Sequence, residues 1–338
     1  MLQFGGRHAK DELLGKAPPA KSKFFQFARR LVNASQFSLS GGAPRKPRKL
    51  PRIDARLNLP YYNSMEKLKP RLIALDLDDT LLKDDLSISD YTVSVLQKTA
   101  EAGIYVVLCS GRTDNAILPF VRRLQIAGFE AGRYIIAQNG ASVYDLHERR
   151  TIFEKLVDSD VLIDAYNLAC ENGLYTSEVY DASTIYIPAD NEWTEVDIKL
   201  SGLKKKVVPE FEEFLRKGHQ KMVIPGEPEE LQKFIPKLKE KIGGKAVIFI
   251  SKPFFLEILP FNCGKGEAIL WLAERLSLTQ KDTMAFGDSM NDESMITLTN
   301  YSVAMKNGLE VIKKQAAFIT DYSNNEDGLA HFIEDYVL

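Results

Sequence analysis

From Arg71 onward, short continuous apolar runs alternate with stretches whose apolar residues recur every three or four positions. The run LIALDLD (72 to 78) predicts a buried strand. SDYTVSVLQKTAEAG then predicts a helix with Ser89 as N-cap, Val93, Leu96 and Ala100 on its inner face and Gly103 as its stop. IYVVLCS (104 to 110) is the next strand, followed by a helix around Asn115 to Leu124 and a strand YIIAQ (134 to 138). These strands are apolar throughout rather than alternating, so the βαβαβ unit implies a parallel sheet covered on both faces. SVYD and TIFEKLV flank HERR as a hairpin.

The same pattern returns late in the chain. EAILWLAERL (267 to 276) predicts a helix with Ile269, Ala273 and Leu276 inward, and TMAFG (283 to 287), YSVAM (301 to 305) and AAFIT (316 to 320) read as buried strands. Residues 157 to 254 interrupt it with two helices (VLIDAYNLACENG, PEELQKFIPKLKEKIGG) and three strands (STIYIP, KMVI, AVIFIS). The fold class expected is therefore α/β: a doubly wound, mostly parallel, Rossmann-like sheet carrying an inserted α+β module. The expected division is 1-64 as a basic extension, 65-156 and 255-338 as two parts of the core, and 157-254 as the insert, with hinges near residues 157 and 256.

Charge separates the head from the body. Residues 1 to 60 hold 13 Lys+Arg against Asp11, Glu12 and Asp54, a balance of +10, and the remaining 278 residues hold 31 basic and 43 acidic, or −12. The head contains PRKPRKLPR and many prolines, which argues against a packed core there. It reads as a nucleic-acid or anionic-surface arm, a targeting peptide or a partner-binding tail, or else as sequence upstream of the enzyme proper, which would then start at Met65. Nucleic acid is not an expected partner of the acidic body. A monomer or weak homo-oligomer is expected. No run reaches the ~20 apolar residues of a membrane span. Three scattered cysteines and four isolated histidines exclude a disulfide framework and a histidine-built zinc site, and fit a reducing, cytoplasmic setting.

Ligands of an open parallel sheet bind beyond the carboxyl ends of its strands. Those ends carry Asp76-Leu77-Asp78-Asp79-Thr80, Ser110-Gly111-Arg112, Gln138-Asn139-Gly140 and Gly287-Asp288-Ser289-Met290-Asn291-Asp292. If Asp76, Asp78, Asp288 and Asp292 converge with Lys265 as the single cation, they repel unless protonated or joined by a hard divalent ion, Mg²⁺ above all. Such an ion also prepares the site for a phosphate dianion. Ser110 offers a hydroxyl, Gly111 a close backbone approach, and Lys265 a charge at a helix start. Asp76 and Asp78, two apart on an extended strand, face one side. That placement suits one as nucleophile and the other as general acid and base. Arg112 and Asn139 are candidates for substrate contact. Tyr180, Tyr186 and Lys221 of the insert read as packing and surface residues.

DLDDT, SGR, the Lys of GKGEA and GDSMND together resemble the four ordered motifs of haloacid dehalogenase-like phosphohydrolases. QNGASVYD and FFLEILPFNCGKGEAI are similar to the Cof-type branch, and the match runs from 66 to 338. The resemblance implies a Rossmann-like core, an α+β cap between the second and third motifs and Mg²⁺-dependent phosphatase activity on small phosphorylated substrates such as sugar phosphates, FMN or pyridoxal phosphate. It makes Asp76 the nucleophile and a metal ligand, and Asp78 the acid/base that also binds metal through its carbonyl. Ser110, Gly111, Lys265 and Asn291 would lie at the phosphate, with Asp288 and Asp292 at the metal. Asp79 stands where many relatives have Gly; Asp tolerates the left-handed turn geometry expected there. Two alternatives remain open: a sugar-phosphate phosphomutase, and a non-catalytic phosphometabolite sensor whose basic tail binds nucleic acid.

Overall fold

A computed structural model describes residues 67–338; the expectations for residues 1–64 lie outside the described residues. Fourteen strands in chain order, β1 Leu72–Leu75, β2 Tyr105–Cys109, β3 Tyr134–Ala137, β4 Ser142–Asp145, β5 Arg150–Glu154, β6 Glu178–Tyr180, β7 Thr184–Ile187, β8 Lys204–Val207, β9 Met222–Pro225, β10 Ala246–Lys252, β11 Phe255–Pro260, β12 Thr283–Gly287, β13 Tyr301–Ala304 and β14 Phe318–Ile319, form two sheets. The first runs β14-β13-β12-β1-β2-β3-β4-β5 and the second β10-β11-β9-β6-β7-β8. In the first sheet all pairings from β14 to β3 are parallel, and β4 and β5 add an antiparallel hairpin at one edge.

The β1, β2, β3 and β12 segments are buried almost throughout, as continuous apolar strands covered on both faces must be. Ile73, Leu75, Val106 and Phe286 face one helical layer with Leu96 and Ile117, while Leu72, Ala74, Val107 and Ala285 face another with Ile269 and Leu272. Each fully buried Leu, Ile or Phe contributes roughly 1.5–3 kcal/mol. The helix Asp90–Glu101 starts where Ser89 accepts the Thr92 N–H at 3.0 Å, and Val93, Leu96 and Ala100 are its buried face. In the helix Lys265–Arg275 the inward residues are Ile269, Leu272 and Ala273; Leu276 lies one residue past the last turn and is only half-buried.

The second sheet is antiparallel except for β7 and β8. One face, with Val179, Met222, Ile224, Leu256 and Ile258, packs on the helices Ser159–Glu171 and Pro228–Ile242. The boundary expected at residue 255 moves: β11, placed by sequence in the second part of the core, hydrogen-bonds between β10 and β9 and is buried along its whole length. Its pairing partners lie far off in sequence, so local pattern could not assign its sheet. The chain therefore returns to the first sheet only after Pro260. Lys155, on the way out, donates its Nζ to the Asn262 carbonyl, on the way back, at 2.9 Å.

Candidate active site

β1 stops at Leu75, earlier than expected, although Asp76 N–H still bonds the Phe286 carbonyl at 3.1 Å. The chain then turns sharply through Leu77–Leu81, with Asp79 at φ 60° in the left-handed region that its sequence position suggested. Beside it β12 ends in Gly287, and the turn Ser289–Asp292 closes as a capping box in which the Asp292 side chain accepts the Ser289 N–H at 3.1 Å. Asp292 Oδ2 also accepts the Asp288 N–H at 2.8 Å. This tuck needs a glycine at 287, since a Cβ there would lie 2.7 Å from the Asp292 carboxylate.

Of the four carboxylates considered from sequence, three come together: ligand atoms of Asp76, Asp288 and Asp292 lie within 4.8 Å of one another, all buried. Lys265, 0% exposed at the first position of its helix, donates to Asp76 Oδ1 at 2.5 Å and to Asp292 Oδ1 at 2.6 Å. Burial opposes the ammonium's charge, yet Asp292 and Asp76 hold its pKa well above the ordinary lysine value. Asp76 is pushed up to about 7 by burial and by Asp292, against the pull of Lys265. Asp288 accepts from the Thr80 hydroxyl at 3.2 Å, and burial with Asp292 and Asp76 drives its carboxyl well above the usual range.

Asp78 stands apart from this trio. Its carboxylate is gripped by Arg112, Nε to Oδ2 at 3.0 Å and Nη2 to Oδ1 at 2.7 Å. Burial opposes its charge, but Arg112 and Lys252 outweigh that cost and hold Asp78 below the ordinary carboxylate pKa. Arg112 also donates Nη1 to the Leu200 carbonyl at 2.9 Å, so one guanidinium joins the first sheet's edge to the helix Glu192–Ser201. A cleft of about 490 Å³ opens on the other side of Arg112, between Ala116, Pro119 and Phe120 and the segment Lys199–Lys204, which runs from the end of that helix to the start of β8. That volume falls within the ~300–1,000 Å³ range of small-molecule sites.

Ser110 is buried, and its Oγ accepts the Arg112 N–H at 3.2 Å. Asn139 sits at φ 53° in the turn after β3 and accepts from Asn291 Nδ2 at 3.2 Å, while its own Nδ2 donates to Glu257 Oε2 at 2.8 Å. Asn291 also accepts from the Ser289 hydroxyl at 2.6 Å. Lys221, read from sequence as a surface residue, is buried and donates to the Gly111 carbonyl at 2.9 Å. Sequence reasoning missed Glu257, Lys252 and Thr80. Glu257 had a signal, a lone acid inside the apolar run FFLEILP. Cys109, beside the trio, is a buried thiol with its pKa pushed far up by desolvation, as suits a core residue.

The trio fits a hard divalent cation. Two of the three carboxylates share one ammonium, and Asp288, which that ammonium does not touch, is driven well above the usual carboxylate range by burial and its acidic neighbours. An oxygen-ligated ion relieves that imbalance without burying a further apolar group.

Fold and site together define a doubly wound α/β protein with an acidic, oxygen-rich ligand site at the carboxyl edge of its parallel sheet. The chain belongs to the haloacid dehalogenase-like hydrolases, whose family model matches residues 73–333, in accord with the Cof-type resemblance of its motifs. A Streptococcus pyogenes protein that bears a phosphatase name is 32% identical over 274 residues, covering 79% of this chain and 98% of its own length. The 5-amino-6-(5-phospho-D-ribitylamino)uracil phosphatase YwtE of Bacillus subtilis is 30% identical over 288 residues, covering 78% and 97%. Among solved structures, a haloacid dehalogenase-like hydrolase from Bacteroides thetaiotaomicron superposes with a TM-score of 0.71 at 31% identity, covering 79% of this chain and 99% of that one.

Proposed function

We propose that this hydrolase is a Mg²⁺-dependent phosphatase of small phosphorylated metabolites, working through an aspartyl-phosphate. The observation that carries the reading is the convergence of Asp76, Asp288 and Asp292 around the buried Lys265. The phosphatase names of its relatives support the reaction class, and the uracil phosphatase supports a small metabolite as substrate.

Asp76, Asp288, Asp292 and the Asp78 carbonyl would hold Mg²⁺, which when bound supplies positive charge against the phosphate dianion. Lys265, Ser110 and the Gly111 backbone bind and orient the phosphoryl oxygens, with Asn291 at their side. Asp76 Oδ attacks phosphorus; the new O–P bond forms as the bond to the leaving oxygen breaks, and Asp78 delivers its proton to that oxygen. Water then attacks phosphorus, gives its proton to Asp78, and the Asp76–phosphate bond breaks to release inorganic phosphate. Because Arg112 holds Asp78 in its charged form, Asp78 must exchange this partner before it acts as an acid. The segment between residue 157 and Pro260 serves as the cap, and the cleft behind Arg112 receives the leaving group.

The test is release of phosphate from a panel of sugar phosphates, FMN and pyridoxal phosphate, with Mg²⁺ and with a chelator. Activity that persists in chelator, or in Asp76→Asn, sinks the reading; an isomerised sugar phosphate as product would replace it with the mutase.

A further inference from the structure

The second sheet has two unlike faces. Its apolar face meets its own helices, and strand alternation puts Glu178, Tyr180, Lys221, Val223 and Glu257 on the other. The register confirms the grouping: Val223 pairs with both Glu178 and Glu257, and Lys221 lies two residues before it on the same side. On this face Lys221 Nζ donates to the Gly111 carbonyl at 2.9 Å, lies 3.4 Å from Glu257 Oε2, and sits 4.8 Å from the centre of the Tyr180 ring. Glu257 Oε2 accepts in turn from Asn139 Nδ2 at 2.8 Å, and Asn139 accepts from Asn291. Both ends of the ion pair are almost fully buried.

The pair engages the first sheet where its second and third strand ends cross. Gly111 and Asn139 touch so closely that a Cβ at 111 would lie 2.9 Å from Asn139 Nδ2. Their backbones are laced together: Asn139 N–H bonds the Ser110 carbonyl at 3.0 Å and Gln138 N–H the Arg112 carbonyl at 2.9 Å. Lys221 pulls on one of these turns and Glu257 on the other. The Lys221 ammonium is engaged by a carbonyl, a carboxylate and an aromatic face, which leaves it poorly placed to serve as a substrate ligand. A buried ion pair is also a poor source of stability, since desolvation offsets most of its attraction. Its value lies in geometry.

We infer that Lys221 and Glu257 are positioning residues: the buried pair is the latch by which seating of the second sheet fixes the Ser110–Arg112 and Gln138–Gly140 turns in the geometry that receives phosphate. The inference rests on the phosphatase reading for its consequence in turnover, but the latch itself does not need it. With the second sheet seated, the latch sets the phosphate turns, and a phosphorylated compound too large to permit seating meets a loosened site.

The experiment uses the full chain with Mg²⁺ and four variants: Lys221→Met, Lys221→Arg, Glu257→Gln and the double Lys221→Met/Glu257→Gln, which removes both charges together if the single change fails to fold. Hydrogen exchange is compared for peptides covering 110–113 and 137–141 and for β1 and β12. Lys221→Met and the double variant are expected to exchange about tenfold faster in the first two peptides, the equivalent of one charge-assisted hydrogen bond, and unchanged in β1 and β12. With p-nitrophenyl phosphate, kcat is expected to fall about 10- to 100-fold, as for a small misplacement of a binding group, and Lys221→Arg to recover most of it. Unchanged exchange in both turns overturns the latch, as does faster exchange spread over both sheets in proportion to lost stability. If the wild-type protein hydrolyses no ester, the phosphatase reading fails while the exchange data still decide the latch.

Discussion

Arg112 holds Asp78 with two parallel hydrogen bonds, at 3.0 and 2.7 Å, and spends its remaining amino group on a carbonyl of the facing helix. Two carboxylates two residues apart are thereby placed in opposite electrostatic settings. Asp76, among other acids, is pushed up to about 7, whereas Asp78 is held low beside a guanidinium. An acid needs the raised value and a nucleophile the lowered one, so the proposed roles require Arg112 to release Asp78 before it gives up a proton.

Arg112→Lys should therefore behave as a damaging change. A lysine offers one compact charge and cannot make two parallel bonds while also reaching Leu200. We expect kcat/KM for phosphate esters to fall about 10- to 100-fold, matching the loss of one charge-assisted contact. Steady-state kinetics on p-nitrophenyl phosphate measures it; a variant within twofold of wild type would show that the grip on Asp78 is idle.

Asp288→Asn separates charge from shape. Neutralising the carboxyl that Lys265 does not bond relieves repulsion within the trio, so the variant should melt higher than wild type in chelator. It should also lose the stabilisation that Mg²⁺ gives wild type, about 2.7 kcal/mol at a hundredfold excess over Kd. Thermal unfolding with and without Mg²⁺ reads both effects, and an equal Mg²⁺ shift in the two proteins would remove Asp288 from the metal site.

His219 supplies a pH dependence far from the carboxylates. Burial pushes its pKa down to about 4, with Lys217 adding to the effect against a hydrogen bond to the Phe214 carbonyl. The unfolded chain, with an ordinary value near 6.5, takes up a proton that the folded chain refuses between these two values. This contribution is thus complete above about pH 6.5 and is lost as pH falls toward 4, amounting to roughly 3 kcal/mol. Denaturant unfolding of wild type and His219→Gln at pH 7 and pH 4.5 should show the wild type losing more; parallel losses would contradict it.

Gly287→Ala tests the tuck of Asp292. The added methyl must displace that carboxylate and with it the partner of Lys265. A cost of about 1–3 kcal/mol in stability is expected from overpacking, together with a weaker Mg²⁺ response in thermal unfolding. Full retention of both would mean the turn relaxes freely.

Much of this could be read from local pattern because the forces concerned are local. Ser89 caps the next helix three residues on, and Val93, Leu96 and Ala100 share a face by helical spacing alone. The acidic corner was legible because strand ends of a parallel sheet converge whatever lies between them. What stayed hidden depends on distant partners or on edges. KKKV forms β8 although its side chains are exposed, because it pairs with β7 alone at the sheet's margin. Lys221 looked like surface because its partners, Gly111, Tyr180 and Glu257, are brought to it only by the fold. Leu272 rather than Leu276 fills the core since the helix ends at Arg275.

The bond from Lys155 to the Asn262 carbonyl holds the outgoing and returning chain side by side. Everything between them starts and finishes at one point on the first sheet. A stretch with adjoining ends can be lengthened or recombined while the parallel ladder stays paired, provided Lys221 and Glu257 keep their hold on the turns beside Gly111 and Asn139. The inserted segment and the parallel sheet can accordingly diversify at different rates within one gene.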